Sequence, residues 1–139
     1  MSAPAKFIPD PDGRNADFYR HLAAGTLHIQ RCEDCSQVFH PPRFLCAKCG
    51  SDALVFNPSP GRGRIFSWTV THRPVDPGWA AEALPYATVV VEMEEGVRLV
   101  AGWRGSLEEI CLDLPVCAEV EPVSESFGFL YFAPAEKGE

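Results

Sequence analysis

From Arg64 to His72 apolar and polar residues alternate, with Phe66, Trp68 and Val70 on one face and Ser67, Thr69 and Thr71 on the other. A period of two predicts a half-buried β-strand. Tyr86–Met93, rich in β-branched residues, predicts a second strand, and Glu94-Glu95-Gly96 makes a tight turn into a third, Val97–Trp103. Ser106-Leu107-Glu108-Glu109 fits a capping box that starts a short helix. Val116–Glu121 and Gly128–Phe132 complete the set. Three strands, a short helix and two strands is the order of an OB-fold, a five-stranded partly open barrel; an irregular β-sandwich is the alternative. Phe66 and Trp68 read as barrel core. The first barrel strand ends at His72 and Arg73 and enters a loop, Pro74 to Leu84, that carries Trp79.

Upstream the pattern changes. Residues 1–14, rich in Pro, Asp and Gly, read as an extended lead-in. Asn15 or Asp17 is placed to cap a helix running to about Ala24, with Gly25 as its stop and Phe18, Tyr19 and Leu22 as its docking face. Thr26–Arg31 alternates as a strand with Leu27 and Ile29 on one side. Val38–His40 reads as its return strand and Ala53–Phe56 as another short one. Pro58-Ser59-Pro60-Gly61-Arg62-Gly63 is the clearest boundary, with Gly61-Arg62-Gly63 read as linker. The expected organisation is residues 1–31 as lead-in, helix and first ribbon strand, 32–60 as a ribbon, and 61–139 as the barrel domain.

The ribbon carries the clearest chemistry. Cys32-Glu33-Asp34-Cys35 and Cys46-Ala47-Lys48-Cys49-Gly50 are two C-x-x-C knuckles. Two intervening residues let both thiolates of a knuckle reach one ion, and two knuckles on adjacent hairpins close a tetrahedron of Zn–S distances near about 2.3 Å. Four thiolates leave no open position, so a structural metal is expected at Cys32, Cys35, Cys46 and Cys49. Zinc ranks first; iron in a rubredoxin-like centre would use the same ligands. His40 lies between the pairs and reads as a strand residue rather than a ligand. Cys111 and Cys117 are not knuckle-spaced and read as buried, inert thiols.

With 46% hydrophobic and 22% charged residues, the 139-residue chain has globular composition. It contains no long apolar run, so no transmembrane helix is expected, and its start shows no apolar stretch after Lys6. A cytoplasmic protein with reduced thiols is the reading that follows, in which paired cysteines favour metal over disulfides. The net charge of −7 is uneven: residues 1–60 hold six basic and six acidic side chains, residues 61–139 six basic and thirteen acidic. An acidic barrel repels phosphate backbones, so neither nucleic acid nor an anionic membrane is an expected partner.

The motifs, taken in order, resemble a known family. They are the helix with Phe18-Tyr19; Gly25-Thr26-Leu27-His28-Ile29-Gln30-Arg31-Cys32; His40-Pro41-Pro42-Arg43; Cys46-x-x-Cys49-Gly50; Gly61-Arg62-Gly63; Phe66 to Arg73; Leu84-Pro85-Tyr86; and Glu94 to Leu99. Together they look like the acyl-CoA-associated zinc-ribbon plus OB-fold family of the DUF-thirty-five type, over about residues 15–132. That resemblance implies a mainly β protein with an N-terminal helix, a rubredoxin-like zinc ribbon and a five-stranded OB-fold barrel. It implies a non-catalytic accessory subunit that holds a CoA thioester or bridges thiolase-like, aldolase-like or hydratase-like enzymes.

An acyl-CoA needs a cation near its phosphates and a narrow apolar groove for its arm. Arg31, Arg43 and Lys48 near the ribbon, and Trp68, His72 and Arg73 at the barrel mouth, are the candidate contacts to CoA or a partner; each also reads as an ordinary surface or core residue. His72 has no Ser, Cys or Asp partner fixed by local spacing that would make it a general base. The competing function is a nucleic-acid-binding ribbon and OB-fold, which the acidic barrel opposes.

Overall fold

The computed structural model describes residues 8–73 and 84–135. The expected loop from Pro74 with Trp79, and the first seven residues of the lead-in, lie outside them. One helix, α1 (Gly13–Ala23), precedes eight strands: β1 (His28–Cys32), β2 (Val38–Phe39), β3 (Leu54–Pro58), β4 (Arg62–Thr71), β5 (Tyr86–Met93), β6 (Arg98–Trp103), β7 (Pro115–Pro122) and β8 (Gly128–Pro134), with a 3₁₀ turn at Leu107–Glu109. Among the described residues no helix is long and apolar enough to cross a membrane.

The strands form two sheets. β1 lies between β2 and β3, antiparallel to both, and makes the ribbon. β4–β8 close a five-stranded barrel in the order β4-β5-β6-β8-β7. β6 and β8 run parallel and every other barrel pair is antiparallel, which is the OB-fold arrangement. Ile65, Val89, Val91, Leu99, Val116 and Phe132 fill its centre.

The helix starts earlier than its sequence suggests. Neither Asn15 nor Asp17 caps it; Asp12 holds the N-cap position without a side-chain hydrogen bond. Asp17 instead receives Arg14 at 3.4 Å and Arg20 at 2.8 Å, so its carboxylate is spent on the helix surface. The far end matches expectation. Gly25 takes φ +90°, its N–H donates to the Leu22 carbonyl at 2.9 Å, and the Thr26 N–H donates to the His21 carbonyl at 3.0 Å, which is a Schellman termination. Gly61-Arg62-Gly63 is not a linker throughout: Arg62 and Gly63 already belong to β4, opposite Cys117 and Val116. The Ser106 hydroxyl accepts from the Glu108 N–H at 3.3 Å, so the expected short helix is a single 3₁₀ turn.

α1 binds the two sheets together. Phe18 and Leu22 share one buried cluster with Leu27 and Ile29 of the ribbon side and with the barrel centre. The approach is backbone-close at Gly128, where an added Cβ would stand 2.7 Å from the carbonyl carbon and oxygen of Leu22. Gly128→Ala therefore forces helix and barrel apart and should cost about 1–3 kcal/mol, the usual range for overpacking. Urea unfolding of the variant beside the parent protein measures it; an unchanged midpoint would show that the contact is loose.

Candidate metal centre and interdomain groove

The two knuckles are built alike. Cys32 and Cys46 each open a turn whose N–H returns from the residue after the second cysteine: Ser36 donates to the Cys32 carbonyl and Gly50 to the Cys46 carbonyl, both at 2.9 Å. Ser36 (φ +66°) and Gly50 (φ +78°) both take the left-handed conformation this turn demands. The N–H of each leading cysteine then donates across its hairpin, Cys32 to the Gln37 carbonyl at 2.9 Å and Cys46 to the Ser51 carbonyl at 2.8 Å. The Ser51 hydroxyl donates to the Asp34 carboxylate and ties the second knuckle to the first.

The four sulfurs converge within 4.8 Å of one another. Cys32–Cys49 and Cys35–Cys46 are each 3.6 Å apart, close to the about 3.8 Å edge of a tetrahedron with 2.3 Å metal–sulfur bonds. The thiols respond unequally to this crowding. The Cys49 and Lys48 N–H groups hold the Cys46 thiol down at about 6, the Lys48 N–H at 3.4 Å from its sulfur. Cys49 is drawn down by the Ser51 N–H, yet Cys32, burial and the other two sulfurs push it up to about 12. One thiolate forms readily near neutral pH and the last does not form without a compensating cation. This donor set fits a thiolate-bound metal with every ligand supplied by the protein.

His40 is not part of the cluster. Its ring packs on Phe18, centroids 4.8 Å apart, and burial holds its pKa down at about 4. Gln30 is a residue the periodicity gave no reason to single out. It is buried on β1, where its side-chain amide donates to the Arg43 carbonyl at 3.0 Å and accepts from the Arg43 N–H at 2.7 Å. It thus clamps the chain between the knuckles by its backbone.

A second feature emerges only in three dimensions. A cavity of about 270 Å³ opens where α1 and the ribbon meet the outer face of the barrel, walled by Phe18, Tyr19, His40, Val100, Phe129 and Tyr131. Aromatic rings run along it. Tyr19 stacks on Phe127 at 4.7 Å, Phe127 meets Phe129 edge-on at 5.2 Å, and Phe129 lies 6.3 Å from Tyr131. Tyr131 covers Gly102, whose hydrogen leaves the room the ring occupies. The Arg104 guanidinium sits 4.0 Å above Tyr131 while pairing with Glu119 and Glu121.

The six candidate contacts fall into two groups. Arg31 is on β1, Arg43 follows His40 by three residues, and Lys48 is in the second knuckle. Trp68 is on the outer part of β4, with His72 and Arg73 just past its end, and none of these three lines the groove. Phe66 and Trp68, read as core, are 44% and 36% exposed, because β7 pairs with β4 only as far as Arg64. Phe66 lies at a bulge between Ile65 and Ser67, under the Arg98 guanidinium at 3.6 Å. Of the two thiols read as buried, Cys117 is half-buried and Cys111 is exposed, since it falls in the turn after the 3₁₀ segment rather than on a strand.

Two measurements bear on this site. Cys46→Ser removes one of the four sulfurs; elemental analysis should find stoichiometric metal in the parent protein and loss of most of it in the variant, with near-equal loading contradicting a shared four-sulfur site. His40, with a folded pKa of about 4 below its ordinary 6.5, takes up its proton earlier when unfolded. Its contribution therefore favours folding above pH 6.5 and is lost as pH falls from 6.5 towards 4, by up to about 3 kcal/mol. Unfolding free energies across that window should fall less steeply in His40→Leu than in the parent chain; parallel curves would mean that His40 is not buried neutral.

Comparison with known proteins places both halves of the chain. Residues 21–55 match the rubredoxin-like zinc ribbon domain of ChsH2, and residues 57–121 its C-terminal OB-fold domain. A probable enoyl-CoA hydratase alpha subunit of Thermomonospora curvata is 31% identical over 122 residues, covering 87% of this chain and 37% of that subunit. A DUF35 domain-containing scaffold protein of Methanothermobacter thermautotrophicus is 35% identical over 88 residues, 60% of this chain and 62% of the relative. The chain thus spans little more than a third of the hydratase subunit. Among solved structures, a chain of the Ltp2-ChsH2(DUF35) aldolase superposes with a TM-score of 0.82 at 31% identity, covering 93% of this chain and all of that one. The knuckles, the barrel order and these matches agree: the chain belongs to the ChsH2-type DUF35 family of rubredoxin-like zinc ribbon plus OB-fold proteins.

Proposed function

We propose that this chain is a non-catalytic accessory subunit of an acyl-CoA enzyme complex, with a hydratase-like, aldolase-like or thiolase-like partner, and that it helps hold the CoA thioester. The aromatic groove between α1, the ribbon and the barrel carries the reading. It is lined largely by apolar side chains, as a pantetheine arm requires, and Arg43, three residues beyond the groove-lining His40 in sequence, is the candidate phosphate contact. Arg31 on β1 and Lys48 in the second knuckle are the other candidate cations of the ribbon. Among the described residues the groups whose protonation the fold shifts are Tyr19, His28 and His40, set first by burial, and cluster thiols, set by backbone N–H groups, burial and one another. The kinship with a hydratase subunit, a scaffold protein and an aldolase chain supports work beside another polypeptide.

Zinc is the metal of this proposal. It supplies charge and rigidity, and with four protein ligands it has no position for substrate. The metal then gives a ribbon of three short strands the stiffness of an interface element without a large core.

The test uses Val100, which lines the groove and is 66% exposed, so a larger side chain there fills the groove without crowding the core. Calorimetric titration with medium-chain acyl-CoA should show binding by the parent chain and at least roughly tenfold weaker binding by Val100→Trp, about 1.4 kcal/mol. Equal affinities would remove the groove from the proposal. Tight binding of single-stranded DNA at low salt, with none of acyl-CoA, would replace it by the nucleic-acid reading.

A further inference from the structure

Among the described residues the outer part of β4 has a paired strand on one side only. Ser67 to Thr71 pair with Val90 to Tyr86 of β5, whereas β7 stops at Arg64, and the last support on that edge is the exchange of Ile65 with Asp113 and Leu114, at 2.9 and 3.0 Å. Beyond Ile65 no strand among the described residues pairs with this edge. Trp68 and Val70 share a face with the buried Val89 and Ala87, yet are 36% and 39% exposed. Natural sheet edges are usually guarded by charge or proline. The run Phe66-Ser67-Trp68-Thr69-Val70-Thr71 has neither, and its single guard, the bulge at Phe66, lies at its lower end.

The sequence of this edge is complementary to itself. In an antiparallel pairing about a two-fold axis at Thr69, Trp68 of one copy faces Val70 of the other, Ser67 faces Thr71, and Thr69 faces Thr69. Aromatic with β-branched and hydroxyl with hydroxyl are the favourable cross-strand pairs of antiparallel sheets. The same register ends where Asp113 and Leu114 already hold the edge at Ile65 by main-chain hydrogen bonds, so the pairing is confined to the stretch beyond it. An isologous contact of this kind closes after two chains, since each copy's β4 edge is then taken up by the other.

We propose that this edge of β4 is a self-association surface: two copies of the chain pair antiparallel through Ser67–Thr71 about Thr69, joining their barrels by one continuous sheet. The second copy meets the unpaired backbone groups with its own and covers Trp68 and Val70. The α1 groove, walled by β6 and β8 instead, stays open in the pair. The proposal does not depend on the acyl-CoA reading.

Sedimentation of the metal-loaded chain over a range of concentrations tests it. The mass should rise from 15.3 kDa towards twice that value as concentration increases. Thr69 is exposed, so a charge there leaves the monomer intact, which unfolding curves and metal content check. Thr69→Lys alone and Thr69→Glu alone should each stay monomeric, because like charges then meet on the axis. An equimolar mixture of the two should regain the double mass. A parent chain that remains at 15.3 kDa throughout, a dimer indifferent to Thr69→Lys, or a mixture that fails to reassociate overturns the proposal. So does a parent chain that uses this edge only to bind an enzyme subunit.

Discussion

Four sulfurs packed within 4.8 Å cannot all carry charge unless a cation sits among them. That constraint organises the N-terminal half. β1–β3 contribute only five, two and five residues, too little apolar surface to hold a sheet against chain entropy. Thiolate–metal bonds substitute for the missing core, and the matching left-handed residues, Ser36 and Gly50, bend each knuckle so that its two sulfurs converge. The barrel needs no such help, since its strands bury a continuous apolar centre of their own.

What makes one body of these unlike halves is α1. Its Leu22 is wholly buried between them, and its last turn touches β8 backbone to backbone at Gly128. The helix has little apolar character beyond Phe18, Tyr19 and Leu22, so its position depends on that single stripe and on the clean stop at Gly25. Because it bridges without filling the whole junction, a groove remains beneath Phe18 and Tyr19. The same contact therefore joins the halves and creates the cavity between them.

Much of this was readable in advance because ligand spacing and strand period are local properties. Two C-x-x-C pairs announce a four-sulfur cluster whatever surrounds them, and alternation, β-branched runs and turn residues together locate each barrel strand to within two residues. What alternation cannot report is whether the marked face is covered. Phe66 and Trp68 alternate as core residues do, but β7 ends at Arg64 and leaves them exposed. The helix start was misplaced because Asp17, a good cap by type, pairs with Arg14 and Arg20 instead. Gln30 was invisible because a polar residue beside Ile29 looks outward-facing, whereas the chain between the knuckles folds over it. The groove joins residues near 18, 40, 100 and 130, a juxtaposition that no window of sequence contains.

Gln30 grips Arg43 through main-chain atoms alone. The neighbouring side chains, Phe44 at 67% exposure and Leu45 at 57%, thereby carry little of the packing, although the Phe44 ring still meets the start of α1 at Arg14. The tip of the ribbon behaves as an exchangeable fingertip on a fixed knuckle: its shape can be rewritten for a different counterpart while the sulfur cage behind it stays unaltered.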